Sequence, residues 1–323
     1  MVPQFMDIIL TVDNSDDFTD NLYVMIPVIL AFCKMFELLL NRHNIKMFTD
    51  ALVEKPFRPL EPDEIEIRQK FNNLIQKHAI MYLLMVEVTC GSMTLTSLLT
   101  KFRKGNLTYR VWLPYDYTSD TYLFYITYFH QLISLTISSF MNVAYDNIVC
   151  GLLMHICCQI EILECRLKKS LRNQSDFGEC VQLHNRIYKL AQEMNEKFRI
   201  TIAIQFILST LVVCSNLYRL AKAELNPKYI QLALYTNCML IQILIYCWYG
   251  NKVKLKSVQL SDQIFGMDWL ALDKKTKEDL VMIMNRSLIP IEFSSAHILT
   301  MNLESFGKLL KASYSIYNVL QLT

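Results

Sequence analysis

Five stretches of this chain are apolar over about twenty residues, the length that an α-helix needs to cross the hydrocarbon core of a membrane. They cover residues 22–40, 78–99, 122–141, 200–220 and 229–249, and a sixth, weakly apolar run covers residues 293–320. Inside a bilayer every backbone polar group must find its partner within the protein, which favours helices. Together with 53% hydrophobic residues and only seven glycines, these stretches predict an all-α fold, a polytopic helical membrane protein.

The third stretch keeps a helical pattern beyond the membrane, from Tyr122 to Leu171. At about 1.5 Å per residue, such a helix is much longer than a bilayer is thick, so its second half is expected to leave the membrane. Asp146, Glu161 and Glu164 lie on this extension, and a basic cluster follows them. These charges suit a helix that projects into water and packs against other helices there.

Lysines and arginines indicate which connections lie in the cytoplasm, because they concentrate on that side of a membrane. If the first stretch runs inward, the inner connections hold twenty-two of them and the outer connections hold seven. This difference predicts that both ends of the chain lie outside. Of the three Asn-X-Ser/Thr sequences, only Asn106-Leu107-Thr108 then falls in an outer connection, so Asn106 is the candidate glycosylation site.

Motifs for other chemistry are weak or absent. The sequence has no HExxH, Walker or GxSxG pattern. A formal net charge of +2 is close to neutral and does not favour binding to nucleic acid. A zinc or redox site around His155, Cys157 and Cys158 is disfavoured, because consecutive cysteines cannot both point inward from one helix face. We therefore expect no enzyme activity, no catalytic residue, no cofactor, no bound metal and no nucleic-acid partner, and we expect the ten cysteines to be reduced.

An ordered series of residues occupies the last eighty positions of the chain. It consists of Tyr246-Cys247-Trp248-Tyr249-Gly250-Asn251, then Trp269, then Ser313-Tyr314-Ser315. Asp146, His155 and Gln159 on the long helix, and Gln205-Phe206 further on, extend the series over about 180 residues. In the order and approximate spacing of these residues, the chain resembles the insect odorant receptors.

The resemblance implies the insect odorant-receptor channel fold, which has seven crossings and a cytoplasmic N-terminus. Six of the seven crossings are then present. Residues 1–20, from Met1-Val2-Pro3-Gln4 through the acidic stretch Asp13 to Asp20, are expected to be a loop after the missing first crossing, as in a truncated product or a fragment. The short second inner connection resembles that of ligand-tuning receptors, since the co-receptor has a much longer one. Residues 1–323 form a single domain in this interpretation: ligand-sensing crossings and the first inner loop (1–150), an intracellular anchor (151–199 and 250–288) and a pore helix (289–323).

The last apolar run is unusually polar for a crossing. Glu304, Lys308 and Lys311 would be costly against lipid tails, so this helix needs water or protein around it. By the resemblance, each of four subunits contributes this helix to a central pore, with Val319 at a narrow hydrophobic gate that blocks ions by dewetting. The predicted pore residues are Ser315, Asn318, Val319 and Gln321, and the alternative is that Val319 only packs near the C-terminus.

The function implied by the resemblance is that of an odorant-gated, non-selective cation channel in the plasma membrane of olfactory sensory neurons. The chain would be surrounded by membrane lipid, form a heterotetramer with the odorant-receptor co-receptor, and bind a small volatile odorant in an apolar cavity. Depth along the crossings, without any motif, gives the candidate ligand-binding residues Ile26, Ile29, Leu30, Val88, Gly91, Leu95, Phe129, Leu132, Tyr235 and Met239. Each of them could instead pack in a helix interface.

Glu87 is a conspicuous acid within an apolar stretch. It is expected to stay neutral or to pair with a neighbouring helix, for example with Lys34.

Three alternatives are left open by the sequence. A gustatory receptor would carry a Thr-Tyr pair where this chain has Ser313-Tyr314-Ser315. A secondary transporter would show an internal repeat with broken helices, and the sequence shows no such repeat. The chain could also be a nonfunctional product.

Overall fold

The computed structural model describes residues 2–10, 15–117, 120–173, 177–222, 227–268, 272–295 and 299–322. Helices dominate these residues, which confirms the all-α prediction. The helices are α1 (Val2–Leu10), α2 (Ser15–Leu40), α3 (Arg42–Ala51), α4 (Pro62–Thr100), α5 (Thr121–Asn173), α6 (Gly178–Lys222), α7 (Pro227–Phe265), α8 (Lys274–Ser287) and α9 (Leu303–Leu322). A 3₁₀ turn (Phe102–Lys104) follows α4, and two short strands, β1 (Ser294–Ser295) and β2 (Leu299–Thr300), pair antiparallel before α9.

Four of these helices, α4 to α7, are long and apolar enough to cross a membrane. The predicted first stretch lies in α2, which meets α3 at a bend of 65° and forms a further candidate span together with it. Helix α9 has 20 residues, which is enough for a crossing by length. Among the described residues it does not join the apolar set, in keeping with its polar sequence.

The last predicted crossing begins later than expected. The segments on either side of residues 296–298 pair as extended strands, and Phe293 O accepts a hydrogen bond from Met301 N at 2.8 Å. Asn302 then caps α9, because its Oδ1 accepts a hydrogen bond from Ser305 N at 2.8 Å. The prediction of a helix over residues 293–320 was therefore wrong before Leu303.

The core of the molecule lies in the second half of the long helix and the elements around it. Helix α5 has 53 residues and is about 80 Å long, so it extends well beyond one bilayer. Its inward side chains pack against α4, α6 and α7, and α8 joins the same continuous cluster through α6 and α7. Fully buried members include Leu153, Ile156 and Leu163 on α5, Leu183 on α6, Val253 on α7 and Leu280 on α8.

Ion pairs hold the extension of α5 to its neighbours. The Arg166 guanidinium donates to both carboxylate oxygens of Glu64 on α4, at 3.0 and 2.8 Å, and both side chains are buried. Glu161 accepts from Lys256 on α7 at 2.8 Å and lies 3.6 Å from Lys70 on α4. Paired charges allow this polar helix to pack tightly against others, as the sequence predicted.

The start of the chain is helical and was wrongly expected to be a loop. Helix α1 is anchored by Asp7, whose Oδ2 accepts from Asn21 Nδ2 at 2.5 Å and lies 3.9 Å from Arg110 Nε. Pro3 O accepts a hydrogen bond from Trp112 N at 3.1 Å. These tertiary contacts, which are not visible in sequence, order α1 against the 101–120 connection. Helix α2 begins at Ser15, inside the acidic stretch that was assigned to the loop.

At Gly250, in the middle of α7, the chain leading into α9 lies very close to that helix. A Cβ atom added at this position would lie 2.3 Å from Met301 O and 2.5 Å from Met301 Cβ. Both distances are far inside van der Waals contact, so only glycine fits here. The close approach gives a physical reason for a glycine in the C-terminal residue series.

We expect a Gly250→Ala substitution to destabilise the folded chain by about 1–3 kcal/mol, because α7 and the hairpin must separate to admit the methyl group. The measurement is the thermal unfolding midpoint of the purified chain. Gly307→Ala is the matched control, since a Cβ at Gly307 in α9 has no atom within 4 Å and gains the same helix propensity. Equal midpoints for the two variants would contradict the close contact.

Candidate ligand cavity and buried polar cluster

A cavity of about 140 Å³ lies between α2, α4, α5 and α7. Most of its wall is apolar, with a few polar groups among the lining side chains. Its residues are Val24, Pro27, Val28 and Leu30 from α2, Tyr82, Val86, Thr89, Cys90, Met93 and Thr94 from α4, Leu135, Ser138, Ser139 and Asn142 from α5, and Tyr235, Cys238, Met239 and Gln242 from α7. An apolar cavity of roughly this size holds one benzene-sized molecule.

Small side chains on α5 explain why the helices leave this space. Ser138, Ser139 and Asn142 form most of the α5 wall, and Leu135 is its one larger apolar side chain. Close-packed helices cannot fill the volume that such short side chains leave. Asn142 is held in place because its Nδ2 donates to Ser138 O at 3.0 Å and to Pro27 O on α2 at 3.5 Å.

Most polar groups around the cavity have a hydrogen-bond partner, whereas Asn142 Oδ1 has none in the part of the chain that the structure describes. Thr89 Oγ1 donates to Met85 O at 2.9 Å, and Ser139 Oγ donates to Glu87 Oε1 at 2.9 Å. The cavity therefore suits a mainly apolar guest with few hydrogen-bonding groups. Glu87 is therefore held by Ser139 on the neighbouring α5, and only the example given for its partner was wrong, since Lys34 has a different partner.

That partner is Asp146, the centre of a buried polar cluster next to the cavity. Asp146 Oδ1 accepts from Lys34 Nζ at 2.5 Å and from Tyr246 OH at 2.6 Å. Its Oδ2 accepts from Gln242 Nε2 at 2.6 Å and from Tyr82 OH at 3.0 Å. We call these five residues the Asp146 cluster. It joins α2, α4, α5 and α7 at one point, and Tyr82 and Gln242 also line the cavity.

Both charges of the cluster are withdrawn from solvent. Lys34 is 0% exposed and Asp146 is 2% exposed. An isolated charge in such surroundings would be very unfavourable, and this ion pair is stabilised only by its geometry and its extra hydrogen bonds. Asp146 was predicted to face water on the extension of α5. That prediction was wrong, because a charged partner on α2 lets the carboxylate stay inside the helix bundle.

The family model described as 7tm Odorant receptor matches residues 14–314 of the chain. The chain belongs to this odorant receptor family. Curated relatives include odorant receptor 94a of Drosophila melanogaster, 24% identical over 223 residues, and odorant receptor Or1 of Anopheles gambiae, 23% identical over 244 residues. These alignments cover 66% and 65% of the chain. The match makes this a multi-pass membrane protein of a receptor family and not an enzyme.

Solved structures share the fold of this odorant receptor family member. The olfactory receptor OR5 of Machilis hrabei superposes with a TM-score of 0.87 at 15% sequence identity, covering 99% of this chain and 84% of that one. The same receptor in complex with eugenol gives a TM-score of 0.84 at 14% identity, covering 100% and 86%. The aligned part of the chain spans 57% of the length of odorant receptor 94a and 58% of that of Or1.

Three of the ten predicted ligand-binding residues line the cavity of this odorant receptor chain: Leu30, Tyr235 and Met239. Ile26 is buried beside Met239, and Ile29 is half-buried. Leu132 packs against a separate cluster near the 3₁₀ turn. Four others lie on exposed faces of their helices: Val88, Gly91, Leu95 and Phe129. The position of a residue along a crossing gives its depth in the membrane but not the side of the helix on which it lies. Ligand contact at these ten positions stays a prediction.

Several wall residues of the odorant receptor cavity were missed by the sequence reasoning, including Ser138, Asn142 and Gln242. Each is a polar residue inside an otherwise apolar stretch, which is the signal that could have indicated them. Tyr82 was missed as well, because the residues around it in the sequence do not indicate that it lines a cavity.

The predicted pore and glycosylation residues lie elsewhere in the odorant receptor chain. Ser315 on α9 is exposed and Asn318 is half-buried, while the side chains of Val319 and Gln321 lie outside what the structure describes. Asn106 is exposed, just after the 3₁₀ turn. Two further residues belong to the C-terminal series: Trp248 is 55% exposed on α7, and Trp269 lies outside the described residues.

Proposed function

We propose that this chain is a ligand-tuning subunit of an odorant-gated, non-selective cation channel, and that a small volatile molecule binds in the cavity between α2, α4, α5 and α7. The single observation that carries the proposal is that cavity: a space of about 140 Å³ with a mainly apolar wall, in a chain of the odorant receptor family. The family member from Machilis hrabei was solved in complex with eugenol, a small aromatic phenol. A ligand of this chemical class suits a wall of aliphatic groups with a few hydroxyl and amide groups.

Ligand occupancy would reach the rest of the molecule through the Asp146 cluster. Tyr82 and Gln242 touch the cavity and donate to Asp146, so a guest that displaces either side chain changes the hydrogen bonds at the meeting point of four helices. The cluster also contains Tyr246, which precedes Gly250 by one turn on α7. Gly250 in turn touches Met301, at the base of α9. A ligand that binds the open arrangement better than the closed one would then shift the population toward open channels.

Assembly and pore formation complete the proposal. Helix α9 carries Glu304, Lys308 and Lys311 on exposed surface, and four such helices around an axis would give these groups water to face. Ser315, Asn318, Val319 and Gln321 would line the pore, with Val319 as its gate. The partner subunits are the odorant-receptor co-receptor, in the plasma membrane of olfactory sensory neurons. Residues 1–150 would sense the ligand, residues 151–199 and 250–288 would anchor the subunits in the cytoplasm, and residues 289–323 would form the pore, with a glycan on Asn106.

Current recording tests this function. The chain is expressed with the co-receptor in cells that lack other receptors, and a panel of volatile molecules graded by size is applied while cation current is measured. We expect current from compact, mainly apolar members of the panel and none from those much larger than the cavity. Cells with the co-receptor alone are the control, and surface labelling verifies delivery. Absence of any current beyond this control, with the chain at the surface, would reject the proposal.

A further inference from the structure

A second, larger cleft lies on the other side of Tyr82 from the ligand cavity. It has a volume of about 520 Å³ and is bounded by α4, α5 and α7. Its wall is built mainly from Ile75, Met81, Met154, Ile241 and Leu244. Met81 and Trp248 at its edge are 58% and 55% exposed, so the cleft reaches the outer surface of the helix bundle. In a chain that crosses the membrane, this surface faces lipid tails.

One end of the cleft is polar and positively charged. His78 and Tyr249 form a hydrogen bond across it, from α4 to α7. Lys77 and Lys252 lie close enough to His78 to act electrostatically on its ring. Lys252 Nζ lies 5.7 Å from the centre of the Phe71 ring, and neither lysine makes an ion pair with any residue that the structure describes. Within the described part of the chain, two cations without a carboxylate partner therefore lie near His78, at the polar end of an apolar cleft.

The charge distribution places this polar end at the cytoplasmic leaflet. Lys77 precedes the apolar part of α4, and Lys252 follows the apolar part of α7, so both belong to the basic inner connections. Trp248 lies beside them on the exposed face, the usual place of tryptophan at a membrane boundary. Anionic headgroups are enriched in the cytoplasmic leaflet, and basic pockets between membrane helices on that side bind them.

We propose that the cleft between α4, α5 and α7 is a binding site for an anionic phospholipid, with one acyl chain in the apolar cleft and the phosphate against Lys77 and Lys252. The occupant matches the site at both ends, since the tail covers exposed apolar side chains and the headgroup neutralises two lysines that have no ion pair among the described residues. The tail would also contact Tyr82, whose side chain lines both this cleft and the ligand cavity. Lipid occupancy thus supports one wall of the ligand cavity.

Native mass spectrometry of the purified full chain tests the site. The chain is mixed with phosphatidylserine or phosphatidylcholine of identical acyl chains, and the bound fraction of each lipid is counted. We expect wild-type chain to prefer the anionic lipid by roughly tenfold, since each lysine at the surface contributes a few-fold. The double variant Lys77→Gln/Lys252→Gln should bind the two lipids about equally, whereas Arg42→Gln/Lys46→Gln, which removes two exposed charges elsewhere in the inner connection, should keep the preference.

A second variant tests the apolar part of the site. Gly151 lines the cleft, and a Cβ there would lie in ordinary van der Waals contact, 3.7 Å from Ile75 Cγ2, so Gly151→Phe is the variant chosen to fill the cleft. It should lower the binding of both lipids, while Gly91→Phe, on an open face of α4, should not. Equal binding of the two lipids by wild-type chain, or an anionic preference that survives loss of both lysines, would overturn the proposal. If Gly151→Phe fails to fold, the lipid preference of Lys77→Gln/Lys252→Gln tests the proposal by itself.

Discussion

Asp146→Asn should destabilise the folded chain by about 3–5 kcal/mol, one of the two largest effects expected for this protein. The substitution keeps the shape of the side chain but removes its charge, and Lys34, which is 0% exposed, is left as an unpaired buried cation. The new amide group also adds a donor where four side chains already donate to the carboxylate. Such a loss is enough to reduce the surface delivery of a marginally stable protein.

The thermal unfolding midpoint of the purified chain measures this effect. Asp50→Asn is the matched control, because Asp50 is exposed at the end of α3 and the same loss of charge costs little there. The double variant Lys34→Met/Asp146→Asn should recover part of the stability, because it removes the buried cation and keeps an amide oxygen that can still accept from the neighbouring donors. A double-mutant cycle isolates the coupling between the two sites. An Asp146→Asn chain that unfolds at the same temperature as Asp50→Asn would show that the cluster does not hold the helices together.

Ser138→Phe should abolish the ligand response or weaken apparent affinity by roughly tenfold or more, because the ring enters a cavity that holds only one small molecule. Ser138 lines the cavity, and its hydroxyl is not needed to hold Asn142, which bonds to the Ser138 carbonyl. The readout is the dose–response curve of the current evoked by the most active volatile. Ile137→Phe, on the adjacent position of α5 and 57% exposed, adds a ring to the outer surface instead.

The two variants separate occupancy of the cavity from a general effect on folding. Surface labelling should show both at the membrane, since overpacking costs only about 1–3 kcal/mol. Ile137→Phe should keep the wild-type response. Unaltered current from Ser138→Phe would mean that the ligand binds outside this space.

Sequence periodicity was sufficient for the elements that depend on local pattern. The long helix, predicted from Tyr122 to Leu171, is α5 from Thr121 to Asn173, because an apolar stripe and a charged extension both persist along it. The same reasoning was wrong for residues 2–10 and before Leu303. In those places, contacts with Arg110, Trp112 and Phe293 decide the local structure, and no pattern in a single sequence reports such contacts.

The candidate site was less accessible to prediction than the fold. Lys34 and Asp146 are each visible as charges within apolar surroundings, but their pairing joins positions 112 residues apart and depends on how α2 packs on α5. The ligand residues were chosen by depth, and Val88 and Phe129 face outward because a helix turns about 100° per residue, which depth ignores. In the sequence, Gly250 was a member of the C-terminal residue series, and nothing there explained why this position is a glycine. The reason is that a Cβ atom at this position would lie 2.3 Å from Met301 O, a clash that only the folded chain reveals.

The most direct test of the central claim is the binding of an active volatile to the purified chain, measured by calorimetry at several temperatures. We expect one molecule bound per cavity with a negative heat-capacity change, as apolar surface is buried. Binding should be lost in Ser138→Phe and retained in Ile137→Phe. Undiminished binding to Ser138→Phe would contradict the assignment of the space between α2, α4, α5 and α7 as the ligand site.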